Sequence, residues 1–296
     1  MSAKPIAGIG GIGYAIGDLH PIEELKALAE KPDTLASLKA KGIAYFAETT
    51  ETPAELAYWS ARDTLSVSGV DSTDVEAIIY ASTSFWEKQF YSERDIAWLM
   101  NELGLVNAYP VGVFLPGCAN ATSAMRVAIN MIRAEGYRNV MVVTTDKVVP
   151  GNSAKRVMWP DVSVLSDAAA SFMVTPAGQT EFDVIAISHH SAPFMWDFDN
   201  QNNLAAFLLS TVKGAQQTVA DALERAGLAA NDIRTLLTNN YNNAVMQMIA
   251  RKCGFDEDQI YLGNVSRFGH AYAADTLINL KDDLIDRPAD RGDRFV

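Results

Sequence analysis

The feature that most constrains this chain is that its second half repeats the plan of its first. A helical stretch from Thr52 to Ser68 ends at Gly69, and DSTDVEAIIYAS follows from Asp71 as a turn and an apolar strand. Later a helix running to Ala226 ends at Gly227 and LAANDIRTLLTNN follows, so that Asp74 and Asp232 correspond at a separation of 158 positions. The helix IAWLMNELGL stops at Gly104, and VMQMIARKCGF stops at Gly254, 150 positions on. Each glycine supplies the left-handed conformation a helix end takes. A third pair, YPVGVFLPGCANATSAMRVAINMIRAEGYRNVMVV and IYLGNVSRFGHAYAADTLINLKDDLIDRPADRGDRFV, reads strand, tight turn, helix, strand in both copies. It lays Gly117-Cys118-Ala119 over Gly269-His270-Ala271, with Cys118 and His270 152 positions apart.

Strands alternating with helices call for right-handed crossovers and mostly parallel sheets covered on both faces, and two such units imply a pseudo-twofold axis. The predicted class is α/β, with one half over residues 1–176 and the other over 177–296. Equivalent helix starts can then face each other across the axis, which brings Cys118 against His270. The positive end of a helix favours negative charge on a thiol, and an adjacent imidazole can take its proton, so the two make a nucleophile and base. A lone cysteine is otherwise most often a small buried apolar residue; the repeat points away from that reading.

Composition narrows the classes that remain. A content of 49% hydrophobic and 20% charged residues is that of a soluble globular protein, with no uninterrupted apolar run of about 18 residues to span a membrane. The net charge of −12 and the lack of a Lys/Arg stripe count against nucleic acid as a partner. Cys118 and Cys253 are the only cysteines, too few for a disulfide framework and without zinc-ligand spacing, which suits a reducing cytoplasm. The opening MSAKPIAGIGGIGYAIG, with one lysine, an early Pro5 and no small-x-small cleavage site, reads as a first strand rather than an export signal. Its Gly8 to Gly13 run has dinucleotide-fingerprint spacing, but Gly17 and Pro21 leave no room for the helix such a loop must open. His189 and His190 are adjacent on a predicted strand and point to opposite faces, so they do not share a metal.

PGCANATSAMRVA resembles the nucleophile segment of the thiolase superfamily and, within it, of ketoacyl carrier-protein synthase III. The likeness runs over nearly the whole chain through IAGIG, DVEAIIYASTS, VVTTDKV and LSDAAASFMVT, the last similar to the family's Gly-Asp-Gly-Ala-Gly segment with its glycines replaced. The resemblance implies a five-layered αβαβα duplication, a homodimer, and an acyl thioester donor on coenzyme A or on a carrier protein's phosphopantetheine. It also implies an acyl intermediate on Cys118, with no metal or bound cofactor. Synthase III keeps a histidine in a His-Gln-Ala-Asn segment and an asparagine after the glycine that precedes its last long helix. Here Asn240 in NNYNN matches the first position and His270 in FGHAYAAD the second, so the two residues are exchanged. Decarboxylating a malonyl thioester needs two donors around the developing enolate oxygen, and the exchange moves both the donors and the base.

The pattern is more similar to the synthase III-like acyltransferases of antibiotic biosynthesis, which pair the cysteine with a histidine at the second position and an aspartate shortly after it; Asp275 matches that aspartate. That likeness implies an acyltransferase carrying an acyl group through Cys118 to a hydroxyl or amine acceptor. His270 would be the base, Asp275 would orient its ring, Asn240 would donate to the acyl or acceptor oxygen, and the Cys118 backbone N–H would receive the oxyanion. Spacing alone leaves Asp275 equally open to a helix N-terminal role. A decarboxylative condensing enzyme and a silent subunit of a heterodimeric synthase are the alternatives.

For substrate contacts the family implies Phe90, in the aromatic segment with Phe85, Trp86 and Tyr91 that shapes the neighbouring subunit's acyl cavity. Trp196, alternating with Phe194 and Phe198, either lines an acceptor pocket or caps the core. The family's carrier-docking arginine is Val245 here, which leaves docking to Lys155, Arg156 or Lys213. The resemblance implies a further glycine-rich strand past the equivalent of RGDRFV that supplies a second oxyanion donor, whereas this sequence stops at Val296: either the protein continues beyond it, or the fold lacks that strand, which would leave a sheet edge open and one donor unaccounted for.

Overall fold

The glycine-rich opening forms strand β1 (Ala7–Ile16), and its glycines answer a packing requirement. A hairpin of β2 (Asp18–Pro21) and β3 (Tyr45–Glu48), with helix α1 (Pro32–Ala40) inserted, leads to α2 (Pro53–Ser68), which lies directly across β1. A Cβ on Gly13 would sit 2.4 Å from the Ser60 carbonyl oxygen of α2, so only glycine lets the helix lie that close. Helix α2 begins where its sequence dictates. Thr52 Oγ1 accepts from the Glu55 N–H at 3.2 Å, Glu55 returns a carboxylate to the Thr52 N–H at 2.7 Å, and Pro53 occupies the first turn. It ends at Gly69, with φ 67°. This computed structural model describes residues 3–86, 93–159, 161–197 and 203–296.

Next come β4 (Ala77–Ala81), α3 (Glu93–Leu103), β5 (Tyr109–Val113), α4 (Asn120–Asn130) and β6 (Val140–Asp146), then the short pair β7 (Val157–Met158) and β8 (Ser163–Val164), and β9 (Ala168–Thr175) and β10 (Phe182–Val184). The main sheet runs in the order β10-β1-β9-β6-β4-β5. Strands β4, β5 and β6 pair in parallel, and β9 is antiparallel to both β6 and β1, so β1 shares the direction of β4 to β6 while β9 and β10 oppose it. The sheet is therefore mixed, with four of its six strands pointing one way. The turn at 176–177, expected to divide the halves, follows β9, and β10 from beyond it still pairs with β1.

The second half consists of α5 (Leu204–Ala226), α6 (Asn243–Lys252), α7 (Gly263–Phe268) and α8 (Asp275–Asp286) around three short extended stretches. Thr235 bridges Phe295 and Leu236 bridges Ile260, both in parallel. The stretch at 235–236 thus lies between its two neighbours as β4 lies between β6 and β5, where Ala77 faces both Val140 and Tyr109. The duplication read from the sequence is repeated in the hydrogen bonding.

Side-chain alternation sorts the layers. On β4, Ala77, Ile79 and Ala81 face α4 and α8, while Ile78 and Tyr80 face α2 and α3. Leu237 and Phe295 of the second half pack against the same α4 and α8 core from the other side, and Leu236 and Ile260 turn to α5 and α6. The order is α2/α3, first sheet, α4/α8, second sheet, α5/α6: the expected α/β duplication in five layers. Among the described residues no helix is long and apolar enough to cross a membrane.

Candidate active site

Two glycines set the site. Gly117 holds φ 58° in a single 3-10 turn, Gly117–Ala119, which runs straight into α4, and Cys118 follows it. Gly269 holds φ 67° at the end of α7, and His270 follows it. A Cβ on Gly269 would meet the Val164 carbonyl oxygen at 2.8 Å, so this position tolerates no side chain. The same left-handed residue therefore precedes the reactive residue in both halves. The backbone of His270 is tied across to the first half, its N–H donating to Val164 O at 2.8 Å and its carbonyl accepting from the Ser166 N–H at 2.9 Å.

The predicted pair meets. Cys118 Sγ lies 3.3 Å from His270 Nε2, and His270 Nδ1 lies 2.5 Å from Asp275 Oδ2. Cys118 is half-buried, whereas His270 and Asp275 are sealed. Asp275 also accepts from the Ala271 N–H at 2.7 Å, the Asn240 N–H at 2.7 Å and Asn240 Nδ2 at 3.1 Å. Its position at the first residue of α8 matches the helix-terminus reading as well, so the two roles expected of it coincide. Burial by itself disfavours the imidazolium, but the Asp275 carboxylate and a Cys118 thiolate outweigh it and push His270 up to about 10.

Asn240 departs from its expected role. Its amide nitrogen donates to Asp275, its side-chain oxygen accepts from Asn279 Nδ2 at 2.9 Å, and its backbone carbonyl accepts from Ser163 Oγ at 2.9 Å. It is buried behind the aspartate and fixes that carboxylate, rather than presenting a donor to a substrate oxygen. Asn279 extends the chain of amides, donating to Thr238 O at 2.8 Å and accepting from Asn264 Nδ2 at 3.0 Å.

Other expectations fare differently. Phe90 lies outside the described residues, as does Phe198. Trp196 is 81% exposed and Phe194 60% exposed, so neither caps the core. Arg156 is not free to dock a carrier protein: it is 2% exposed and grips Asp167 with both guanidinium nitrogens at 2.9 Å. That fork, with further bonds to Ala47 O, Leu165 O and Glu48, staples the LSDAAA segment in place. Lys155 and Lys213 are exposed. Sequence reasoning missed two tyrosines. Tyr241 stands edge-on to the His270 ring, centroids 5.0 Å apart, and Tyr272 lies tilted at 5.8 Å with the left-handed φ of 53°. The only signal for the first was its place beside Asn240 in NNYNN, and for the second its place two residues past His270.

Comparison with known proteins places the chain among similar sequences and folds. The family model for the C-terminal part of 3-oxoacyl-[acyl-carrier-protein] synthase III matches residues 223–296, which include His270, Asp275 and Asn240. A β-ketoacyl-[acyl-carrier-protein] synthase III of Listeria welshimeri is 24% identical, over 93% of this chain and 89% of its own length. The fold superposes on the crystal structure of 3-oxoacyl-[acyl-carrier-protein] synthase III from Aquifex aeolicus with a TM-score of 0.81, at 17% identity, covering 98% of this chain and 94% of that one. It superposes on ChlB3, described as an acyltransferase, with a TM-score of 0.82, at 17% identity, covering 98% and 92%. With its repeat and its paired site, the chain is similar to the thiolase-like ketoacyl synthase III enzymes, whose C-terminal family model it matches over residues 223–296 and whose fold it shares.

Proposed function

We propose that this protein is an acyltransferase that moves an acyl group from a coenzyme A or carrier-protein thioester, through acyl-Cys118, to a hydroxyl or amine acceptor in secondary metabolism in the cytoplasm. The observation that carries this reading is the alignment of Cys118 Sγ, His270 and Asp275, with Asn240 turned away to hold the aspartate. In the first step the Cys118 thiolate attacks the thioester carbonyl carbon, the new C–S bond forms, and the electron pair moves to oxygen. Collapse breaks the bond to the donor's sulfur, which leaves with the proton held on His270 Nε2. The backbone N–H of Cys118 is available to the oxyanion, because the first N–H groups of a helical turn have no partner within it. His270, now neutral, takes the proton of the acceptor hydroxyl or amine as that atom attacks the acyl carbon, and the C–S bond to Cys118 breaks. Asp275 keeps Nδ1 protonated and Nε2 facing the sulfur throughout. Every step is carried by thioester, thiol and imidazole, and none calls on a metal or a bound cofactor.

The buried Asn240 amide also favours transfer to a heteroatom over carbon–carbon condensation, because decarboxylation needs two donors on one enolate oxygen and this side chain is held on Asp275 and Asn279, 1% exposed. A working homodimer is part of the reading. Among the described residues strand β5 is an edge of the sheet, and Tyr109 at its start and Leu115 just past its end are 64% and 86% exposed.

Intact-protein mass spectrometry after incubation with a panel of acyl thioesters tests the core of this. Wild type should gain the acyl mass and Cys118→Ala should gain none; a Cys118→Ala chain that still loads overturns the reading. Incubated with malonyl thioester, the enzyme should keep an intact malonyl group on Cys118, and release of carbon dioxide would instead favour the condensing activity.

A further inference from the structure

We propose that Tyr241 is a further catalytic residue, its phenol O–H donating to the thioester oxygen as Cys118 attacks. The inference rests on the acyl-Cys118 reading above and adds a donor to it. A tetrahedral oxyanion needs more than one donor, the Cys118 N–H is one, and the Asn240 amide is committed to Asp275.

Tyr241 has the position, the free donor and the protonation state. Its ring meets the His270 ring edge-on at 5.0 Å, with 66° between the planes, on the imidazole whose Nε2 contacts the sulfur. Its backbone is pinned by two fixed neighbours, Asn240 in the buried amide network and Asn242, whose side chain donates to Val162 O at 2.7 Å and caps α6 through the Val245 N–H at 3.0 Å. The phenol oxygen makes no hydrogen bond to any described residue, so its O–H is uncommitted. Burial, then the charge of a Cys118 thiolate, then that of Asp275 push the phenol far up its scale, which keeps it a donor at any working pH. As the carbonyl π pair moves onto oxygen, the O–H···O bond strengthens; no proton is transferred, and the bond relaxes when the thioester collapses.

Tyr272 is the natural competitor. It is also beside His270, but its phenol is raised, after burial, by Asp146 and Asp167 ahead of Cys118, and its carbonyl is held by Asn239 Nδ2 at 3.0 Å. Its phenol thus feels those two carboxylates before it feels the sulfur.

Tyr241→Phe keeps the ring contact and deletes only the hydroxyl. Two reactions of Cys118 separate the roles. Acylation by an acetyl- to octanoyl-coenzyme A series develops charge on oxygen. Alkylation by iodoacetamide displaces iodide at a saturated carbon and develops none. In Tyr241→Phe, acylation should slow by about 100-fold, the scale of one lost oxyanion donor, with alkylation and its pH profile unchanged, and Tyr272→Phe should acylate like wild type. If acylation is unchanged, the proposal is overturned. If acylation and alkylation fall together, Tyr241 acts on the thiolate, and if Tyr272→Phe shows the loss instead, the donor is misassigned; either overturns it. A wild-type chain that alkylates but never acylates would fail the acyl-Cys118 reading itself, a result distinct from any of these and one that removes the proposal with it.

Discussion

His270 keeps its proton against the pull of burial because two negative partners flank its ring, Asp275 at Nδ1 and Cys118 at Nε2. Its folded value near 10 stands above the 6.5 of an unfolded histidine, so its contribution to stability is full below about 6.5 and is lost as pH rises toward 10. Cys118→Ala removes one of the two raising charges, and denaturant melts from pH 6 to 10.5 should show that loss moving to lower pH in this variant. An unmoved profile would mean that the thiolate does not hold the proton. At this scale the sequence made the reactive pair legible, since a repeat places two residues at equivalent turns whatever surrounds them. It left Asn240, Arg156 and Tyr241 unread, because what decides each is a direction: inward to Asp275, inward to Asp167, and edge-on to the imidazole. Residue type and spacing carry no such information.

Among the elements, the contact that matters most joins α8 to the stretch leading into α6. Asn279 on α8 donates to Thr238 O and to Asn240 Oδ1, and Asn240 in turn positions the carboxylate at the first residue of the same helix. Asn279→Leu keeps the branched side-chain outline and strands the buried Asn240 Oδ1 and the part-buried Thr238 O, a lost partner costing on the order of 1–3 kcal/mol where burial is complete. A lowered melting temperature and slower acyl loading of Cys118 should follow together; a variant that melts and loads like wild type would show the network to be idle. The helices and the strands of the first sheet could be located from capping residues, glycine stops and apolar alternation. The second sheet could not be given its extent, because it survives as isolated bridges whose pairing depends on where α5 and α6 bury Leu236 and Ile260.

For the molecule as a whole, the proposed dimer would use the edge strand β5 with its exposed Tyr109 and Leu115. Sedimentation equilibrium should find a dimer that Leu115→Glu with Tyr109→Glu converts to a monomer of unchanged secondary structure. A wild-type chain that is monomeric at micromolar concentration would remove the dimer from the proposed function. The sulfur and the ring that activates it belong to different halves, and Val164, Leu165 and Ser166 of the first half hold the backbone of His270. During synthesis the nucleophile emerges long before its activator. Until the ribosome has passed Asp275 and the two repeats have docked, Cys118 is an ordinary thiol among abundant cellular thioesters. On the proposed function the chain thus carries a safeguard in its order of manufacture: reactivity toward acyl donors would arise only in a molecule that has finished folding.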